Sequence, residues 1–378
     1  MIGEFDCFVQ LTGTVPGGPA LAIIPALRGT ITMDRTWAPA VRAEFVFPFR
    51  EFDATSLQLV DPSIAQFVQL FLVDAVTGRQ ALWELNVRGY TIDARAETLT
   101  LVLASYEALV QDYGSTQNSI NLSDTSIYPT ALSMVQSLVN TAVGTTVGAG
   151  WTAPSTGSVP AAYEGRFVVP GGNVWEYVQQ TVSTSPGGAV QHFGWGTSGG
   201  DSLEWLLSAP TYERTPAHSW VVPAYPDPDA SLDPGDVEPT AWTVQRSRDV
   251  PEWGNAMYLE FPRRMATGTA TLITAGTTFN YEFSNRGLSG STSALRKQVQ
   301  VSTRTYPDTS QGDRNTRAGY YLSRRAPLGR AQTVTVPMDL RLVPYQVYPD
   351  PNGVEYMVRS VMHNLTDGTS VVQLTATP

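Results

Sequence analysis

Thr98-Leu99-Thr100-Leu101-Val102-Leu103 sets a leucine at every second position against threonine. Period two means a strand with one face toward a core. Leu99, Leu101 and Leu103 are therefore expected inside and Thr98 and Thr100 outside, because only a bulge exchanges the faces. Upstream, residues 67–73 and 82–92 flank a turn at Thr77-Gly78, with Trp83, Leu85 and Val87 opposite Glu84, Asn86 and Arg88. That spacing predicts a β-hairpin. Further back, Ile31 and Met33, then Val41, Ala43, Phe45 and Phe47, alternate with Thr32, Asp34, Arg42 and Glu44. Residues 1–112 read as one antiparallel barrel or sandwich that ends in a short helix-like run at 105–111.

Beyond it the period changes. Leu132, Val135, Leu138, Val139 and Ala142 recur at three and four residues, and Pro129 suits a first helical turn, which predicts a helix over 129–142. Asn173 with Glu176 three residues on resembles a capping box, followed by Trp175, Val178 and Val182 on one stripe. Strand-like pieces at 189–195 and 202–207 follow, then a Pro- and Asp-rich loop at 225–239. From Trp242 onward short strands return. Val334, Val336, Met338, Leu340 and Leu342 alternate with Thr333, Thr335, Asp339 and Arg341, and Pro337 inside that run marks an edge or a bulge. A last hairpin, 355–363 and 370–376, turns at Asp367-Gly368, and its Val358-Arg359 weakly echoes Val87-Arg88. The fold class expected is mainly β with an α/β insert: two barrel-like β domains flanking and interleaved with a mixed α/β domain.

Composition agrees. Glycine (32) and proline (27) make up about a sixth of the 378 residues, above the usual ~12%, which favours turns and short strands. Charged residues are 15% and apolar residues 42%, against a usual ~25% charged. Such depletion fits surfaces buried between chains and equally a Thr/Ser/Gln-coated β protein. The net charge of −10 excludes general attraction to nucleic acid or anionic lipid. Lys297 is the single lysine, which argues against a phosphate-loop lysine. Cys7 is the single cysteine, so neither an internal disulfide nor a cysteine zinc site can form. The first residues have no signal-peptide pattern and no apolar run is long enough to span a bilayer, so a soluble chain made in a cytoplasm, with no integral membrane segment, is expected.

Each chemical pattern has a plainer reading. Gly196-Thr197-Ser198-Gly199-Gly200 fits a nucleophile elbow, with His218 or His363 as base, but an elbow needs a strand before and a helix after. The flanks read as strands, so a hairpin tip is favoured. His192, His218 and His363 fall in no helical metal spacing. Asp227, Asp229, Ser231, Asp233 and Glu238 sit at EF-hand-like offsets, yet Leu232 occupies the position that needs glycine and the surrounding prolines preclude flanking helices. A solvated acidic loop is expected. A carboxylate pair for glycoside hydrolysis is not readable from spacing. Trp195, Trp205, Trp220, Trp242 and Trp253 could form a sugar platform but read mostly as core and interface. No residue is assigned a catalytic, cofactor or metal role.

The order of features carries more. A β unit ending in Leu99-Thr-Leu-Val-Leu-Ala-Ser-Tyr-Glu-Ala-Leu-Val-Gln-Asp-Tyr113 leads to a helix, then to Gly172-Asn-Val-Trp-Glu-Tyr-Val178. The chain closes with Val354-Glu-Tyr-Met-Val-Arg-Ser-Val-Met-His-Asn-Leu-Thr-Asp-Gly-Thr-Ser-Val-Val-Gln-Leu-Thr-Ala376. This arrangement resembles the tail hub proteins of tailed bacteriophages, the baseplate-hub family that includes the N-terminal hub part of tail-associated lysins. It covers most of the chain and matches least over 265–330. The resemblance implies a homotrimer whose paired barrels form a pseudo-sixfold ring. It places residues 1–112 in a first barrel, 113–210 and 251–324 in the mixed domain, and 211–250 and 325–378 in a second barrel.

Implied partners are the distal tail protein ring, the tape measure protein and a central tail fibre or spike. Implied location is the tail tip of a virion assembled in the host cytoplasm. The role is structural, not enzymatic: linking distal tail to fibre and lining the DNA exit channel, where an acidic wall lets phosphates slide. No cofactor and no sequence-specific nucleic-acid binding are expected, nor a wall-degrading extension beyond the final hairpin. Two other classes remain open: a cell-wall-degrading enzyme using a carboxylate pair or Ser198, and a distal tail or glycan-binding adhesin component.

Overall fold

The computed structural model describes residues 5–76, 78–113, 120–121, 131–143, 151–152, 167–168, 173–183, 188–192, 195–197, 205–208, 241–246, 256–260, 286–290, 298–302, 322, 330–349 and 355–376. Seven strands build the N-terminal part: β1 (Phe5–Gly13), β2 (Ala22–Pro25), β3 (Arg28–Asp34), β4 (Val41–Pro48), β5 (Phe67–Asp74), β6 (Gln80–Asp93) and β7 (Thr98–Ala104). The hairpin predicted from period two is β5–β6, with Leu70 opposite Trp83. Gly78 next to its turn has φ 70°, which glycine adopts without steric cost. Leu99, Leu101 and Leu103 are fully buried and Thr98 and Thr100 half-buried on the other face.

The strands run antiparallel in the order β2-β1-β5-β6-β7-β4-β3, and the sheet does not stop there. β3 pairs next with Glu355–Asn364, then come Thr369–Ala376, Arg330–Pro337 and Ala241–Arg246. Trp195–Thr197 joins β6 and Val347–Pro349 joins Glu355–Asn364 from the side. The result is mainly β: one 13-stranded sheet. Two barrel-like β domains were expected; the strands join in one continuous sheet that is not closed. The physical reason is β3. Its residues 30–34, which a self-contained N-terminal unit would leave as an edge, are taken up by residues 360–364, with Met33 opposite Val361. Near the other end of the path, Ala26 and Leu27 link β2 to β3. There the Ala26 N–H donates to Cys7 O and the Leu27 N–H to Val46 O, both at 2.8 Å.

One hydrophobic core serves both ends of the chain. Val9, Phe45, Leu70 and Trp83 share it with Val334, Val358, Val361 and Leu374. Cys7 lies in it as well, and burial pushes its thiol well above the ordinary range. β6 departs from simple alternation, because Glu84 and Asn86 are buried along with Trp83 and Leu85. From Trp83 to Val87 both faces of this strand are covered. At its bulge Arg88 drops out of the ladder between Val87 and Gly89 and pairs with Asp112 at 2.6 Å.

The strand predicted to run through Leu342 ends at Pro337. Pro337 has no N–H to give and lies past Thr335, where pairing with Ala241–Arg246 stops. Met338, Leu340 and Leu342 stay buried from a loop.

Among the described residues the α-helices are α1 (Ala54–Gln58), α2 (Glu107–Asp112), α3 (Ala131–Val143) and α4 (Val174–Ser183). In α3, Val135, Leu138 and Val139 are buried, as their spacing predicts. Asn173 Oδ1 accepts from the Trp175 N–H at 2.9 Å, in the manner of an N-cap. α2 packs against both α3 and α4. Among the described residues three small sheets accompany them, one with Ala256–Glu260 parallel to Gln298–Ser302. No helix among the described residues is long and apolar enough to cross a membrane.

Candidate functional site

The chain leaves β7 at Ala104 and enters α2 within three residues, and hydrogen bonds from this stretch reach the β3–β4 loop. The Ser105 N–H donates to Val41 O, and Ser105 Oγ accepts from the Val41 N–H, both at 3.0 Å. Gln111 Nε2 donates to Ala38 O at 2.8 Å. The loop between β3 and β4 is thus clasped along α2.

Glu107 completes the clasp from the first turn of α2. Its carboxylate is fully buried, and one oxygen, Oε1, accepts from two backbone N–H groups, His192 at 2.7 Å and Ala40 at 3.3 Å. A single atom therefore ties the β3–β4 loop to the segment after the strand Gly188–Gln191. Burial pushes this carboxyl from 4.5 up to about 7, opposed by the Ser105 hydroxyl and the backbone donors. Desolvation wins because it acts on the whole charge while each neutral donor offsets only part of it.

Tyr106 extends the cluster. Its ring stacks on His192 with centroids 4.3 Å apart and meets Phe67 edge-on at 5.3 Å. Its hydroxyl donates to Glu84 Oε1 at 2.6 Å. Burial, together with the neighbouring carboxylate, holds the phenol well above its ordinary range. Burial likewise raises Glu84, opposed by the Tyr106 hydroxyl and the Gly17 N–H. Gly17 has φ +60°, and a Cβ there would approach Glu84 Oε1 at 3.5 Å. From the β1–β2 loop to the middle of the chain, the cluster is continuous and internal.

His363 forms a second buried polar site. Its Nδ1 lies 2.8 Å from Ser370 Oγ, which also accepts from the Asp339 N–H at 3.1 Å. Its ring lies 5.9 Å from Trp83. Burial lowers its pKa from 6.5 to about 4, against the pull of Asp339. This histidine is a neutral core residue engaged with Ser370. A cavity of about 190 Å³ lies where Asp74 and Arg79 face residues 337–341, below the ~300 Å³ at which ordinary ligand sites begin.

Of the residues singled out in the sequence, Ser198, His218, the loop from Asp227 to Glu238, Trp220 and Trp253 lie outside the described residues. Trp195, Trp205 and Trp242 lie in strands described by their backbone only. His192 and His363 are both buried, in different clusters. Among the described residues no group of three His, Cys, Asp or Glu side chains forms a metal site. Glu84, Tyr106 and Glu107 were missed by reading for motifs. The available signal was Glu107 as the one charged residue between Leu99 and Val110.

No family model and no curated protein matches the chain. Solved structures do match its fold, along nearly the whole length. A tail protein from Neisseria meningitidis MC58 aligns with a TM-score of 0.61 at 12% identity, covering 98% of this chain and 96% of that one. The 43 kDa tail protein of prophage MuSo2 from Shewanella oneidensis gives 0.59 at 11%, covering 98% of each chain. A prophage tail protein from Listeria monocytogenes EGD-e gives 0.51 at 9%, covering 98% and 94%. At these identities what the chain shares with the three tail proteins is a fold.

Proposed function

We propose that the chain is a structural subunit of a bacteriophage tail, and more narrowly the trimeric hub at the tail tip. The observation that carries this reading is the likeness of fold to tail proteins, two of them from prophages, over 98% of the chain. A match of that extent aligns the whole architecture and not one common motif. The wider features support it. Leu21, Ile23 and Leu27 are each about 60% exposed on β2 and its flanks, and exposed apolar groups of this kind mark contact surfaces. The open strand ladder leaves edges that an assembly covers.

In this proposal residues 1–112 form one barrel-like unit, whose ladder gap is bridged at Ala26 and Leu27. Residues 211–250 and 325–378 form the second, and 113–210 with 251–324 the mixed domain between. The ring links the distal tail protein and tape measure protein to a central fibre or spike, lines the DNA exit channel, and performs no catalysis. Light scattering of the purified chain, with electron microscopy of tails carrying a tagged copy, tests it. Three copies in a ring at the tip are expected. A monomer would sink the hub assignment, and a sixfold ring would favour a distal tail component.

A further inference from the structure

Glu107 lies where the β3–β4 loop meets the segment after the strand Gly188–Gln191. One of its oxygens receives the Ala40 N–H from the β3–β4 loop of the large sheet and the His192 N–H from the middle of the chain. Few other polar groups share that joint. Ser105 and Tyr106 face Glu107 from its own segment, and His192 faces it across the stack on Tyr106. Glu84 on β6 is one step further, through the Tyr106 hydroxyl. From the helices packed on α2, α3 has no charged side chain, and the one charged residue of α4, Glu176, is exposed. The Arg88–Asp112 pair lies at the far end of α2. Among the described residues Glu107 forms no ion pair.

We propose that Glu107 is a proton-operated latch, holding the β3–β4 loop and the His192 segment together while protonated and letting go of both when it ionises. In the closed joint the neutral acid suits a fully buried site, and its Oε1 still accepts both N–H groups. Loss of the proton leaves a bare charge in that site. Opening then lets water reach the carboxylate, at the loss of two hydrogen bonds and the Tyr106–His192 stack. Since the ordinary carboxyl value is 4.5 and burial holds Glu107 at about 7, linkage makes the opening constant rise about thirtyfold between roughly pH 5.5 and 8.5. Nothing in this depends on the particle to which the chain belongs.

Hydrogen exchange of the Ala40 and His192 amides in the full chain tests it, corrected for the intrinsic pH dependence of exchange. In the unmodified protein the opening constant at both amides should rise about thirtyfold over that range. Glu107→Gln should abolish the rise and Glu84→Gln should keep it. A flat profile in the unmodified protein overturns the latch, as does an undiminished rise in Glu107→Gln. If Glu107→Gln does not fold, the other two proteins decide: a rise kept in Glu84→Gln supports the latch, and one lost there assigns the switch to Glu84.

Discussion

Met33 on β3 lies directly across from Val361, although almost the whole chain separates them. Both are fully buried in one core, so the two ends of the chain should unfold as one unit. Val361→Ala is expected to cost about 2 kcal/mol, in line with large-to-small core changes. The same shift should register in the labelling of Cys7, which sits in β1 far along the sheet. Two transitions, with Cys7 protection unmoved by Val361→Ala, would show that the seam is not cooperative.

The faces of β7 make a sharper contrast. Leu101→Ala removes a fully buried side chain and should destabilise by about 2–5 kcal/mol. Thr100→Ala, next to it on the half-buried face, should change stability by only about 0.5 kcal/mol. Urea midpoints at constant slope measure both. Equal effects would mean that the strand register is wrong.

Gly29 and Gly89 are both strand glycines with opposite tolerance. A Cβ on Gly29 would lie 2.3 Å from Phe45 Cδ1 and 2.6 Å from Glu44 O, whereas one on Gly89 meets nothing within 4 Å. Gly29→Ala should therefore cost roughly 1–3 kcal/mol or more by overpacking. Gly89→Ala should stay within about 0.5 kcal/mol. Thermal melts of the two variants settle the comparison.

Glu107 and His363 should give stability opposite slopes against pH. Glu107 is raised from 4.5 to about 7, so its contribution is complete below 4.5 and is lost as pH rises through 7. His363 is lowered from 6.5 to about 4, so its contribution is complete above 6.5 and is lost as pH falls through 4. Between about pH 4.5 and 6.5 the two trends oppose each other. Relative to the unmodified protein, Glu107→Gln should make stability rise more steeply with pH across that window, and His363→Gln should make it rise less or fall. Melting temperatures at four or five pH values give the slopes, and identical slopes in all three proteins would refute the assignment.

The legible features were those whose signal is local. The alternation of 98–103, the β5–β6 hairpin, the stripe of Val135, Leu138 and Val139, and the Asn173 cap all depend on neighbours within a few positions. The seam between β3 and residues 360–364 depends on a register chosen between distant strands, which no periodicity records. Arg330–Pro337 shows the boundary between the two: Pro337 was visible as an interruption, but the continued burial of Leu340 and Leu342 from a loop disguised where the strand ends. Glu107 was hidden for another reason. A glutamate at the start of a short helix ordinarily reads as a favourable interaction with the helix dipole. Its burial follows only from what the rest of the chain folds over it.

The seam also imposes an order on synthesis. About 250 residues separate the end of β7 from the strand at Glu355–Asn364 that completes β3. At roughly 5–20 residues per second, the ribosome takes on the order of ten to fifty seconds to cover that distance. During this interval the nascent N-terminal strands hold half of a shared core and an unsatisfied β3 edge. Neighbouring nascent chains on one message present the same edge at the same time. Slowing translation between β7 and residue 355 should therefore raise the share of aggregated chains, and a holdase acting on that edge should lower it.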